Sequence, residues 1–155
     1  MNDLSALTEG LRGSRPLILT GDTTLSAGTL CDRVKRLAQT LDDHGLERVA
    51  SRLDNGPPWL ALDLAIRRLG GVHVPLPTFF SAGQIAHALR SSGAEAVITG
   101  AHETAPIGAS AAEPIALGDD LIAWRLQSDR PALPPGTACI TYTSGSTGAP
   151  RGVCL

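Results

Sequence analysis

The chain has 155 residues, of which 43% are apolar and 18% are charged, and its formal net charge is −2. These values are ordinary for a globular protein, and the length predicts a single domain, residues 1–155, that buries roughly 70% of the surface of the unfolded chain. A net charge this close to zero gives no reason to expect nucleic acid or an anionic membrane as a partner.

The first residues, the lack of a long apolar stretch and the cysteines lead us to expect a cytoplasmic location. The first residues have neither a basic start nor a long apolar run, so we expect no signal peptide. No stretch approaches the roughly 18 uninterrupted apolar residues that a membrane-spanning helix needs. The three cysteines, Cys31, Cys139 and Cys154, are odd in number and lack C-x-x-C spacing, which favours reduced thiols over disulfides.

The first quarter of the sequence predicts a short helix, a hairpin and a long helix. Residues 3–12 are typical of a poorly capped helix, and two β-rich runs within 17–25 flank a Gly-Asp turn. Ser26 is a helix cap, and Gly45 is a plausible end. Between them the apolar residues fall on one helical face: Leu30, Val34, Leu37, Ala38 and Leu41. The acidic residues 42–43 and His44 are interpreted as a solvated helix end rather than a metal site.

From residue 48 onward strands and helices alternate. Strands are predicted over 49–53, 72–76 and 96–99, and they are separated by a helix with proline in its first turn and by a helix that Ser81 caps and Gly93 ends. This order predicts an α/β fold with a mainly parallel sheet and right-handed crossovers.

The last third of the chain leads to a hairpin. Residues 101–117 are rich in Ala, Gly, Pro and Ser and are predicted to be an irregular connection. Residues 121–124 are expected to add a strand. Two short apolar runs, 138–142 and 153–155, are then expected to pair around a glycine-rich loop.

The glycine-rich loop has the composition of a polyphosphate-binding site. It has no bulky side chain from Thr143 to Ala149, and Gly145 and Gly148 allow close approach of the backbone to a ligand. Consecutive amides in such turns bind anions, hydroxyls add donors, and Arg151 adds a planar cation suited to phosphate. An ordinary surface turn is the alternative that composition alone leaves open. The spacing fits neither a Walker A loop nor a nucleophile elbow.

Residues 142–153 resemble the phosphate-binding signature of the adenylate-forming superfamily, which contains acyl-CoA synthetases, adenylation domains of nonribosomal peptide synthetases, and firefly-type luciferases. The usual pattern is Y-T-S-G-[ST]-T-G-x-P-K-G-V, and eleven of the twelve positions fit, Arg151 standing where the pattern has lysine. Residues 25–41 and 69–76 are similar to two further, less specific segments of the family. The likeness therefore extends over nearly the whole chain.

The resemblance implies an ATP-dependent carboxylate-activating ligase that forms an acyl-adenylate and passes the acyl group to CoA or a carrier phosphopantetheine, with Mg²⁺ assisting. ATP and a carboxylic acid are the implied substrates. The implied phosphate-binding residues are Thr143, Ser144, Gly145, Ser146, Thr147, Gly148 and Arg151. Because the catalytic and metal-binding residues of the family lie beyond this stretch, we assign none here and expect an N-terminal piece that is inactive alone.

Two alternatives to a nucleotide-binding ligase remain. The first is a non-catalytic scaffold or partner-binding module, with a final strand whose exposed edge favours homo-oligomers. The second is an unrelated α/β nucleotide-binding domain, although the absence of G-x-G-x-x-G after the strand at residue 49 argues against a dinucleotide-binding fold. His73 and His87 are expected to be packed or solvent-facing, and His44 and His102 have no partner at metal-ligand spacing.

Overall fold

The computed structural model describes residues 16–20, 23–106, 108–110, 113–143 and 149–155. The predicted helix over 3–12 and the Gly-Asp turn at 21–22 lie outside these ranges. The two strands expected on either side of that turn are present as β1 (Pro16–Thr20) and β2 (Thr23–Ser26), and they pair antiparallel.

The central sheet is mainly parallel, as the sequence predicted. Its strands are β3 (Arg48–Ser51), β4 (Val72–Pro75), β5 (Ala96–Gly100), β6 (Ile115–Gly118) and β7 (Leu121–Arg125). Their spatial order is β4-β3-β5-β7-β6. The first three pair parallel, whereas β7 runs antiparallel to both of its neighbours.

The prediction of an irregular connection over residues 101–117 is wrong at its end, because residues 115–117 belong to strand β6. A tight turn at Asp119 and Asp120, with φ of 52° and 58°, joins β6 to β7. Two consecutive residues with positive φ match the twist of paired strands. The turn therefore returns the chain directly onto β7 and lets 115–118 pair with it.

Local capping signals end the helices where the sequence placed them. Helix α1 (Ala27–Asp43) starts at Ser26, whose hydroxyl accepts a hydrogen bond from the Thr29 amide, and Gly45 follows its end at φ +63°. Helix α2 (Pro57–Arg68) has proline in its first turn. Helix α3 (Ala82–Ser92) has a capping box between Ser81 and Gln84.

The core has one layer on each face of the sheet, because successive strand residues point to opposite faces. Helices α1 and α2 pack against one face, where Val49 and Ile98 are buried, and α3 packs against the other, where Ala50 and Val97 are buried. Ile140 belongs to the second layer. The predicted hairpin is therefore attached to the α3 side of the molecule.

Candidate phosphate-binding site

The glycine-rich loop is closed by a hairpin of strands β8 (Ile140–Thr143) and β9 (Arg151–Cys154). The strands pair antiparallel, and the last pair before the loop joins Thr143 to Arg151. Both residues are exposed. Two of the residues predicted to bind phosphate are thus side by side where the loop begins and ends.

The loop itself falls outside the described residues. This concerns the five predicted phosphate-binding residues Ser144, Gly145, Ser146, Thr147 and Gly148. Their role stays a prediction. Among the described residues, no ion pair includes Arg151, so no carboxylate there competes for its guanidinium.

The hairpin is connected to the edge of the central sheet. The amide of His73 on β4 donates to the carbonyl of Ala138 at 3.0 Å, and His73 and Cys139 form a parallel bridge. Strand β9 is exposed along its length. Formation of homo-oligomers through its outer edge stays a prediction.

Gly152 allows the aromatic ring of Tyr142 to lie across the hairpin. The two residues are cross-strand partners. A methyl group on Gly152 would lie 3.1 Å from Tyr142 Cζ and 3.1 Å from Ile140 Cγ2. Tyr142 is buried and belongs to the core layer beneath α3. A glycine at this position of the motif therefore allows the hairpin to pack closely against the molecule.

A chain of hydrogen bonds that the sequence did not reveal links β3, β4 and α2. Ser51 Oγ is 2.8 Å from His73 Nε2, and His73 Nδ1 is 2.8 Å from Asp63 Oδ1. Asp63 Oδ2 accepts a third bond from Arg67 Nε, also at 2.8 Å. Since the carboxylate only accepts, His73 donates from Nδ1, and in a neutral ring Nε2 then accepts a hydrogen bond from the Ser51 hydroxyl.

This arrangement has the distances of a Ser-His-Asp triad but not its accessibility. The side chains of Ser51 and His73 are both 0% exposed, and the ring of Trp59 lies 5.6 Å from that of His73. A nucleophile must touch its substrate. We therefore interpret the chain of bonds as a structural link between β3, β4 and α2.

The charge on Asp63 is stabilised by this link. Burial alone raises the pKa of Asp63, but hydrogen bonds from His73 and Arg67 outweigh it and hold the pKa below its ordinary value. A deprotonated Asp63 fixes the proton on His73 Nδ1. The expectation that His73 is a packed side chain agrees with its complete burial.

Sequence reasoning missed this network because its members are far apart in the chain and come from three elements. The one local signal for the network is a polar residue at a position where the pattern of the strand or helix predicts a buried, apolar side chain. Ser51 ends a strand whose other core residues are apolar, and Asp63 lies between the buried residues Leu62 and Ala65 on α2. Such positions usually have buried partners.

The two hairpin cysteines are not cross-strand partners of each other. Cys139 pairs with Leu155, and Cys154 pairs with Ile140. Cys139 is buried, Cys154 is exposed, and neither forms a disulfide.

Membrane-spanning helices and metal-binding clusters are both absent from the described residues. No helix among them has the length and apolar composition to cross a membrane. No group of three or more His, Cys, Asp or Glu side chains within the same ranges is placed to hold a metal ion.

Comparison with known families shows to which protein family this chain belongs. A family model described as AMP-binding enzyme matches residues 10–155. The chain belongs to the AMP-binding enzyme family. The match includes both strands of the hairpin and the glycine-rich loop between them.

Relatives in this family include ligases and peptide synthetases. A feruloyl-CoA synthase of Amycolatopsis sp. is 33% identical over 141 residues, covering 87% of this chain and 29% of that protein. Surfactin synthase subunit 1 of Bacillus subtilis (strain 168) is 30% identical over 149 residues, covering 94% of this chain and 4% of that protein. The chain thus spans less than a third of either relative.

Solved structures agree with the fold. The O-succinylbenzoate coenzyme A synthetase of Bacillus subtilis, solved in complex with AMP, matches with a TM-score of 0.70 at 22% identity, over 96% of this chain and 40% of that one. The N-terminal subdomain of NpsA from Klebsiella oxytoca matches with a TM-score of 0.69 at 22% identity, over 97% of this chain and 38% of that one. At these identities the likeness concerns the fold.

Proposed function

We propose that this chain is the N-terminal part of an ATP-dependent ligase that activates a carboxylic acid, and that its glycine-rich loop binds the phosphates of ATP. Membership of the AMP-binding enzyme family supports the reaction class. The observation that carries the site is the pairing of Thr143 with Arg151, which brackets the loop and places an exposed cation at its end.

In the proposed reaction, a carboxylate oxygen attacks the α-phosphorus of ATP. The bond from that phosphorus to the bridging oxygen breaks, and pyrophosphate leaves with the electron pair. The loop residues 143–148 hold the β- and γ-phosphates in line by their amides and hydroxyls, and Arg151 neutralises charge on the leaving group. A thiol then attacks the acyl carbon, and AMP leaves.

The remaining reactants are proposed from the relatives. Feruloyl-CoA synthase and surfactin synthase belong to classes that pass acyl groups to CoA and to carrier-bound phosphopantetheine respectively, so either thiol is a candidate acceptor. Mg²⁺ would neutralise phosphate charge in such a reaction. We assign no metal ligand in this chain, since the resemblance implies that the metal-binding residues lie beyond this stretch.

The phosphate assignment predicts a large loss of ATP affinity when Gly145 and Arg151 are both changed to alanine. A hydrogen bond to a charged group is worth about ten- to a hundredfold in affinity, and a methyl group at Gly145 obstructs the approach of the backbone. Calorimetric titration of ATP into the wild-type and variant chains measures the change. Arg68→Ala, which removes an exposed arginine from α2, should leave the affinity unchanged.

Equal ATP affinity in the wild type and the double variant would reject the assignment. No binding by the wild type would favour the alternative of a non-catalytic scaffold derived from this fold. We also expect residues 1–155 alone to show no ATP–pyrophosphate exchange with any acid, since the chain covers 29% of a complete synthase. Exchange by this chain would contradict that expectation.

A further inference from the structure

One turn of helix α3 holds both strands of the hairpin. On the strand that enters the loop, the Tyr142 hydroxyl donates to the carbonyl of Ala88 at 3.0 Å and lies 2.7 Å from Ser91 Oγ. Just before the strand that leaves the loop, His87 Nε2 lies 3.1 Å from the carbonyl of Pro150. The helix therefore contacts the chain on both sides of the loop.

These contacts are adjacent to the proposed phosphate-binding residues. Tyr142 immediately precedes Thr143, and Pro150 immediately precedes Arg151. The ladder of the hairpin ends at the pair of Thr143 and Arg151. The contact at Pro150 thus lies on the loop side of the last strand pair, where the hairpin ladder no longer fixes the backbone.

The direction of the bond at Pro150 is determined by chemistry. A carbonyl oxygen only accepts, so His87 carries a proton on Nε2 and donates it. Proline has no N–H to offer to a strand partner. Pro150 is buried and His87 is half-buried, which limits competition from water for this bond. The backbone at Pro150 cannot be held by a hydrogen bond from its own N–H, and the bond from His87 to its carbonyl holds it instead.

We propose that His87 is a positioning residue for the phosphate loop. By holding the Pro150 carbonyl, it fixes the end of the loop and the start of Arg151 before the ligand arrives, which lowers the entropy lost on binding. The inference rests on the proposed phosphate-binding function of the loop. It adds a residue that lies more than fifty positions before the motif and belongs to another element.

The inference predicts weaker ATP binding when the donor is removed from residue 87. His87→Leu keeps an apolar side chain of moderate size but has no N–H, and we expect an affinity about three- to tenfold lower, the worth of one neutral hydrogen bond. His87→Gln places an amide N–H at a similar reach and should restore most of the affinity. His102→Leu, at an exposed turn after β5, is the matched control and should bind ATP like the wild type.

Calorimetric titration of ATP into the full chain, with thermal melting of each variant, separates the outcomes. Weak binding by His87→Leu with recovery in His87→Gln supports the inference, because a general loss of stability would not follow the presence of the N–H. Unchanged affinity in His87→Leu overturns it while leaving the proposed function intact. No ATP binding by the wild type overturns the proposed function and the inference with it.

A second pair of variants serves if His87→Leu fails to fold. Asparagine is one methylene shorter than glutamine, so its amide falls short of the position of Nε2. We expect His87→Gln to bind ATP more tightly than His87→Asn by a similar factor. Equal affinities of these two polar variants would overturn the inference.

Discussion

The variant Asp63→Ala is expected to lower the free energy of unfolding by about 1–3 kcal/mol, the cost of leaving a buried donor without an acceptor. Asp63 accepts from His73 Nδ1, and the imidazole is completely buried. Without the carboxylate, Nδ1 of this buried imidazole loses the hydrogen-bond partner that it has in the fold. The lost contact with Arg67 adds little, since that side chain is more than a third exposed.

The loss of unfolding free energy in Asp63→Ala should become smaller as the pH falls. The pKa of Asp63 in the folded chain lies below its ordinary value of 3.8, because the bonds from His73 and Arg67 outweigh the effect of burial. A carboxyl with a lowered pKa stabilises the fold above the unfolded pKa, and this contribution is lost as the pH falls through the folded pKa. The difference between wild type and variant should therefore be steady near pH 7 and shrink below about pH 4.

Urea denaturation of both chains across this pH range measures the difference. Asp32→Ala is the matched control, since Asp32 is an exposed residue of helix α1 and alanine is favourable there. A difference that widens on acidification would show that Asp63 is not held as a carboxylate by the buried network.

The second large effect is expected at Gly93, which ends helix α3 at φ +66°. Alanine in this conformation costs roughly 1–2 kcal/mol. A methyl group would also overlap Pro131 Cδ and lie 2.8 Å from Arg48 Nη1 and 2.9 Å from the Asp129 carbonyl oxygen. Relieving such overlap typically costs about 1–3 kcal/mol more.

Gly45→Ala is a matched control for the crowding at Gly93. Gly45 has nearly the same conformation, φ +63°, and an added methyl group would meet no atom within 4 Å. Both variants lose the conformational freedom of glycine, so the difference in their unfolding free energies isolates the overlap. Equal losses would mean that the segment around Pro131 moves aside at no cost.

The parts of the fold that the sequence predicted are those with local signals. Ser26 and Ser81 begin helices and Gly93 ends one, each through an interaction with a residue three positions away, which appears in the sequence as spacing. The alternation of strands and helices from residue 48 then leads to a parallel sheet. Strand β6 was missed although Gly118, Asp119 and Asp120 form a turn that permits positive φ, because an Ala- and Pro-rich stretch precedes it.

The parts that the sequence did not predict depend on contacts between distant elements. Ser51 and His73 meet because parallel pairing places β4 beside β3. Asp63 reaches His73 because α2, which connects the two strands in the chain, packs against the sheet. The same is true of the candidate site. Its motif identified Thr143 and Arg151, which the hairpin brings together, but no motif marks His87, whose partner is a backbone carbonyl.

The different burial of the hairpin cysteines has a consequence for chemical labelling. Thiol reagents react with the thiolate, and burial raises the pKa of Cys139 while it shields the sulfur. Cys31 is buried as well, whereas Cys154 is exposed three positions after Arg151. A maleimide dye would therefore attach selectively to Cys154, on the strand that leaves the glycine-rich loop. The native sequence already contains an attachment point for a fluorescent reporter of ligand binding.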